Sequence, residues 1–117
     1  MIEFSEHTRN AQVLALHYAR RLGDDYVVAV MSSQAEIATS EEALRVAACF
    51  WEMTDLAVED DNAGRTVVDI DDLQFWMYRL FNHVYGYLTK AGFLEEWKQA
   101  SREQYQEDSY KSKLQSK

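Results

Sequence analysis

Carboxylates are crowded into the middle of this sequence, at a spacing that could create a binding surface. Glu52, Asp55 and Glu59 are three and four residues apart, so a helix would place them on one face. Asp60 and Asp61 follow at the predicted C-terminus of that helix, the end at which the helix dipole disfavours anions. Local helix stability does not account for this placement, which favours a role in binding.

A second acidic group follows the turn predicted at 62–64, where asparagine and glycine occur together. Acids are common at helix starts, but this turn should bring the second group close to the first, with only Arg65 to offset their charge. The predicted partner-binding surface comprises Glu52, Asp55, Glu59, Asp60, Asp61, Asp69, Asp71 and Asp72. A solvated acidic face without a binding role is the alternative that the sequence leaves open.

The net charge of −8 is concentrated in the same region. Residues 41–75 carry ten acids and two bases, whereas residues 1–40 carry five acids and three bases and residues 76–117 carry five and seven. Solubility alone does not require such a concentration. The charge predicts a basic protein as the partner, and the lack of a basic stripe argues against direct binding of nucleic acid.

Calcium binding is the obvious rival for the acids. An EF-hand-like loop with Gly64 at its sixth position would place Ala63 and Ile70 where oxygen ligands are required, so the loop fails. A di-iron bundle would need Glu-x-x-His pairs, which the sequence lacks. We therefore predict no metal site.

Residues that could serve catalysis are equally sparse. His7, His17 and His83 have no cysteine or acid at metal-ligand spacing, and Cys49 lies in an apolar run typical of a core. There is no glycine-rich phosphate loop and no nucleophile elbow. These observations predict a protein with neither enzymatic activity nor a cofactor.

The elements that must position the acids are predicted to be helices. The chain of 117 residues contains no proline and four glycines, which is too little turn punctuation for an all-β protein. We predict an all-α fold, a compact bundle of about five helices in one domain over residues 1–110, with a polar, frayed tail at 111–117. The third helix should start near Ser40, since Thr39 and Glu42 match a capping box.

A helix over residues 69–92 is predicted to be central to this bundle. Asp69 can cap its start and Gly92 suits the left-handed position after its end. Apolar residues recur along it at three- and four-residue spacings, from Leu73 to Leu88, and give a broad stripe. Aromatic residues extend the apolar surface around most of the helix, so we expect neighbours on several sides.

Two short segments allow an alternative fold. Residues 26–31 are rich in β-branched side chains and could form a strand, for which 65–70 would be the partner. This arrangement would give an α+β protein with a small two-stranded element.

Aromatic side chains supply a second candidate surface. A helix cannot bury every side, so Phe75, Tyr78 and Tyr85 are predicted as exposed interface anchors. Through them the chain would act as a helical assembly adaptor or structural subunit, and a homodimer face is left open. The single cysteine favours the cytoplasm, and the longest apolar run is too short to span a bilayer.

In its small size, acidity, predicted helicity and lack of motifs, the chain resembles proteins that phages and mobile elements use to block host nucleic-acid machinery. These include DNA mimics and anti-restriction and anti-CRISPR proteins, and toxin immunity proteins share the same character. The resemblance implies an inhibitor that occupies the basic, nucleic-acid-binding surface of a partner. Salt should separate this function from an adaptor, because only the charge-driven complex weakens steeply with ionic strength.

Overall fold

Five α-helices account for most of the described chain. The computed structural model describes residues 1–65 and 70–103, without the side chains at 70–72. A 3-10 turn at Glu6–Thr8 precedes α1 (Arg9–Leu22), α2 (Asp25–Met31), α3 (Ser40–Asn62) and α4 (Ile70–Lys90). Residues 94–103 form α5, and no described residue lies in a strand. The predicted all-α bundle is confirmed.

Two helix ends are formed by the residues predicted to form them. At the start of α3, the Thr39 hydroxyl accepts a hydrogen bond from the Glu42 N–H at 3.1 Å, and the Glu42 carboxylate accepts one from the Thr39 N–H at 3.0 Å. After α4, Gly92 has a φ of +92°, and the Phe93 N–H donates to the Leu88 carbonyl at 2.7 Å. Both motifs satisfy backbone groups that a helix end would leave unpaired.

Residues 26–31 lie in α2, so the α+β alternative is wrong at its first strand. Asp24 caps this helix, because its carboxylate accepts a hydrogen bond from the Val27 N–H at 3.2 Å. The helix buries Val27, Val30 and Met31, a spacing that belongs to one helical face. Capping and burial outweigh the β-branched composition. Within the proposed second strand, 65–70, positions 66–69 lie outside the described residues.

The core lies where α1 packs against α2, α3 and α4. Several alanines on α1 let the neighbouring helices approach closely. Its buried residues are Ala11, Leu14, Ala15, Tyr18 and Ala19. From α4, the predicted stripe contributes Leu73, Leu80, Val84 and Leu88 to the core. In the bundle, α4 therefore has α1 on one side and α3 on another.

An aromatic cluster joins α5 to the bundle. Trp97 of α5 is buried, and its ring centroid lies 5.3 Å from Phe50 of α3 and 5.3 Å from Phe81 of α4. Trp51 and Tyr85 complete the cluster, at 5.4 and 5.7 Å from Trp97. Aromatic pairs at these distances stabilise by about 0.5 to 1.5 kcal/mol beyond the burial of their area. The cluster therefore fixes α3, α4 and α5 relative to one another.

The N-terminal segment packs across the bundle. Ile2 is fully buried, and the Ser33 hydroxyl donates to its carbonyl at 2.6 Å. Phe4 stacks on His83 of α4 with ring centroids 4.5 Å apart. This segment thus links the end of α2 to α4.

Among the described helices, none combines the length and apolar character that crossing a membrane requires.

Replacing Leu80 by Ala should destabilise the protein by about 2 to 5 kcal/mol, because the side chain is fully buried and a cavity would remain. Tyr78→Ala is the matched control on the same helix, since that side chain is 66% exposed, and should cost about 0.5 kcal/mol or less. Urea denaturation of the two variants measures both values. Equal losses would contradict the assignment of the buried α4 face.

Candidate functional site

Three of the predicted acids form an exposed surface on α3. Glu52, Asp55 and Glu59 are all exposed and, being three and four residues apart in a continuous helix, share one face. We call these three residues the acidic face. Asp61, one turn beyond Val58, is half-buried at the edge of a groove described below.

Asp60 does not belong to the exposed surface predicted for it. Asp60 is only 2% exposed, and its Oδ2 atom accepts a hydrogen bond from the Arg21 guanidinium at 2.5 Å. The Arg65 guanidinium lies 3.7 Å from its Oδ1 atom. The last turn of α1 thus supplies the charge that compensates an acid at the C-terminal end of α3. Asp60 holds two helices together, and its placement needs no partner protein.

The environment of Asp60 shifts two pKa values, that of its own carboxyl and that of Tyr18. Burial acts to raise the pKa of the Asp60 carboxyl, but the hydrogen bond and charge of Arg21 outweigh it, so the pKa lies below its ordinary value. Burial raises the pKa of Tyr18 to about 12, and the negative charge of Asp60 acts in the same direction. Among the described residues, the Tyr18 hydroxyl has no hydrogen-bond partner of standard geometry. Tyr18 is thus held neutral beside a charged carboxylate.

The second acidic group cannot be placed in the same way. Asp69 lies outside the described residues, and Asp71 and Asp72 lie in the first turn of α4 with side chains outside the description. Their union with the α3 acids into one surface stays a prediction.

An apolar groove lies between α3 and α4 and has a volume of about 330 Å³. One wall consists of the α3 residues Phe50, Trp51, Thr54, Ala57, Val58 and Asp61. The other consists of the α4 residues Leu73, Gln74, Met77, Tyr78 and Phe81. Its apolar lining is open to solvent, since Val58 is 53% exposed. We call this feature the α3–α4 groove.

The surroundings of the groove are acidic. Residues 46–64 contain no Lys, Arg or His, and neither do residues 70–78. Three bases flank these ranges in the sequence. Arg65 lies beside Asp60, Arg45 pairs with Asp24, and Arg79 lies over the rings of Phe75 and Trp76, which do not line the groove. Helix geometry places Asp55 next to Val58 around α3, followed by Glu59 and Glu52, so the acidic face adjoins the groove wall. A ligand in the groove would meet negative charge on the α3 side.

The predicted aromatic interface is divided by the fold. Tyr78 lines the α3–α4 groove and is strongly exposed, in agreement with the expectation for an anchor. Phe75 is half-exposed and carries the Arg79 guanidinium 4.8 Å from its ring centroid. Tyr85 stacks on Phe81 within the aromatic cluster and is the least exposed of the three. Only Tyr78 therefore joins the acidic and aromatic surfaces.

Two of the residues considered for catalysis, Cys49 and His83, lie in the core or in a structural contact. Cys49 is buried, and burial raises the pKa of its thiol to about 12, which disfavours the reactive thiolate. The Nε2 atom of His83 lies 2.7 Å from the Glu3 carbonyl. Within residues 1–65 and 70–103, no group of three potential metal ligands is found.

Comparison of the chain with protein-family models, with curated proteins and with solved structures finds no match. The site therefore has to be interpreted from its own geometry and charge.

The pair between Arg21 and Asp60 should be required for stability. Arg21→Gln leaves a buried carboxylate with only Arg65 near it, so it should lower the free energy of unfolding at neutral pH more than Arg20→Gln, which removes the same charge one position earlier. Because the pKa of Asp60 is lowered, its stabilising contribution is present above the ordinary value of 3.8 and lost in acid.

The difference between the two variants should accordingly narrow as the pH falls below about 4 and on through the lowered pKa of Asp60, where the carboxylate becomes protonated in the folded protein too. Urea denaturation at neutral and acid pH measures this change. Equal stability of Arg21→Gln and Arg20→Gln at neutral pH would contradict the role of the pair.

Proposed function

We propose that this chain is a non-enzymatic protein-binding inhibitor that occupies a basic, nucleic-acid-binding surface of its partner. The observation that carries the proposal is the acidic face beside an open apolar groove whose walls contain no base. A surface of this kind is complementary to one that binds nucleic acid through Lys and Arg. The general class is that of DNA-mimicking, anti-restriction and anti-CRISPR-like inhibitors from phages or mobile elements.

The spacing of the acidic face supports imitation of phosphates. Neighbouring carboxylates at three- and four-residue spacing lie about 5 to 6 Å apart on a helix, and a duplex carries one charge per about 1.7 Å of its axis. Glu52, Asp55 and Glu59 thus give a short row of negative charge over two turns. The net charge of −8 adds long-range attraction that speeds encounter with a basic partner.

Local stability does not account for this row. The three acids repel one another, and no base occupies the last turn of α3 to complement the helix dipole there. Asp60, in the last turn of the same helix, is paired with Arg21. Glu52 and Glu59 face solvent, which is what a binding surface requires.

A helical adaptor, structural subunit or toxin immunity protein is the second candidate, favoured by the exposure of Tyr78 beside the groove. An adaptor of this kind would depend on aromatic packing and respond little to salt. The charge of the groove surroundings argues for a basic partner in either case.

A pair of charge variants tests the inhibitor. A partner is captured from cell lysate on the immobilised protein, and its affinity is compared between the wild type and Glu52→Gln/Glu59→Gln. We expect the double variant to bind about two- to thirtyfold more weakly and with a shallower salt dependence, since two exposed ion pairs contribute roughly 0.4 to 2 kcal/mol. Duplex DNA or RNA should compete with the chain for the same partner.

Glu3→Gln/Glu36→Gln is the matched control, because both residues are exposed, lie outside the groove and carry the same total charge. It should retain wild-type affinity. If both double variants bound equally well, or if nucleic acid and the chain bound the partner together, the inhibitor proposal would be wrong.

A further inference from the structure

The α3–α4 groove has the length of a short helix. Its α3 wall runs from Phe50 to Asp61, twelve residues that span about 16 Å along the axis, which is about three helical turns. Its α4 wall runs from Leu73 to Phe81, and the Phe81 ring lies 5.9 Å from that of Phe50, at the start of the α3 wall. The two helices are therefore antiparallel along the groove. A ligand lying between them would contact both walls over their full length.

The lining of the groove is apolar and incompletely covered. Val58 is exposed at one wall, Tyr78 at the other, and Met77 is half-buried between them. Exposed apolar side chains gathered around a concavity are typical of binding sites for apolar segments. Burial of such side chains by a ligand removes apolar area from water and so favours the complex.

The chemistry of the groove selects a helix over an extended segment. An extended peptide needs partners for its own N–H and C=O groups, and a sheet edge usually supplies them. The described part of the chain has no strand, and the groove walls are mainly side chains of carbon and sulphur. A helix satisfies its own backbone and presents apolar side chains at i, i+3 and i+7 to such a groove.

The charge around the groove favours a basic helix as the ligand. Asp61 lies at one end of the groove and the acidic face adjoins its α3 wall, while neither wall carries a base. A second copy of this chain would bring a second set of acids against the first, which is repulsive. Lys and Arg on the flanks of the ligand would instead be attracted to Asp61 and to the acidic face.

We infer that the α3–α4 groove binds one amphipathic, basic helix of the partner protein. Its apolar side chains occupy the groove, with a large one against Phe50 and Phe81, and its Lys or Arg side chains lie toward Asp61 and the acidic face. The inference rests on the proposed function for the basic character of the partner. It adds a defined segment, a single helix of about three turns, as the element that is recognised.

A synthetic peptide tests the groove without knowledge of the partner. The probe is a fluorescently labelled, Ala-based helix of about 14 residues with Leu at i, i+3 and i+7 and Lys on its flanks. Its polarisation is measured during titration with the full chain. A peptide of the same composition with the Leu positions scrambled around the helix carries the same charge, and we expect it to bind at least about tenfold more weakly.

Two variants of the chain with the same change in charge locate the site. Val58→Arg introduces a bulky cation at the groove wall and should weaken binding of the peptide by about tenfold or more. Val13→Arg is its matched control, because Val13 of α1 is 51% exposed and lies away from the groove, and it should stay within about twofold of the wild type. Both positions are exposed, so both variants should fold, which circular dichroism verifies.

Other outcomes would overturn the inference or the proposed function. Equal binding of the scrambled and patterned peptides, or equal loss in Val58→Arg and Val13→Arg, would mean attraction by net charge without a groove. A dimer of the wild type that Val58→Arg dissociates would mean that a second copy occupies the groove. If the patterned peptide did not bind but nucleic acid still competed with the chain for the captured partner, only the helix inference would be rejected. If the peptide bound but nucleic acid did not compete, only the inhibitor proposal would be rejected.

Discussion

The buried ion pair between Arg21 and Asp60 sets the orientation of α3. Position 60 must face α1 to keep its carboxylate paired, because an unpaired buried charge is costly. Helix geometry then places Phe50, Met53 and Ala57 toward the core and turns the acidic face toward solvent. The remaining sector of α3, around Val58, is left to form one wall of the groove. A single interaction at the ends of α1 and α3 thus determines which acids are presented and which apolar surface stays open.

The acidic face and the α3–α4 groove would contribute to binding in different ways. In the proposed interface, the acidic face governs the rate of encounter, since steering depends on summed charge, and the groove governs the rate of dissociation, since packing is lost only on separation. The sequence presented inhibitor and adaptor as rivals, one acidic and one aromatic. Tyr78 and Asp61 line the same groove. The two kinds of contact can therefore contribute to one interface, with charge selecting the partner and the groove retaining it.

The features that local sequence determines were predicted, and those that depend on distant residues were not. Capping by Thr39 and Glu42, the turn at Gly92 and the stripe on α4 follow from residues close in sequence. Asp60 was assigned to the surface because its partner lies 39 positions earlier. The strand that the alternative fold placed at 26–31 was wrong, because the Asp24 cap favours a helix more than the β-branched residues favour a strand. The groove could not be predicted, because α3 is apolar over two sectors and only the packed bundle decides which one is covered. The one sign of the groove in the local sequence is Val58, an apolar residue among acids.

The central claim is that the acidic face and the α3–α4 groove form one partner-binding surface, and hydrogen–deuterium exchange tests it most directly. Exchange is measured for the chain alone and saturated with its captured partner, and the change is mapped along the sequence. We expect slower exchange in segments 50–61 and 73–81, which form the two groove walls, with exchange in α1 and α2 unchanged. Protection confined to α1 and α2, with α3 and α4 exchanging as in the free protein, would contradict it.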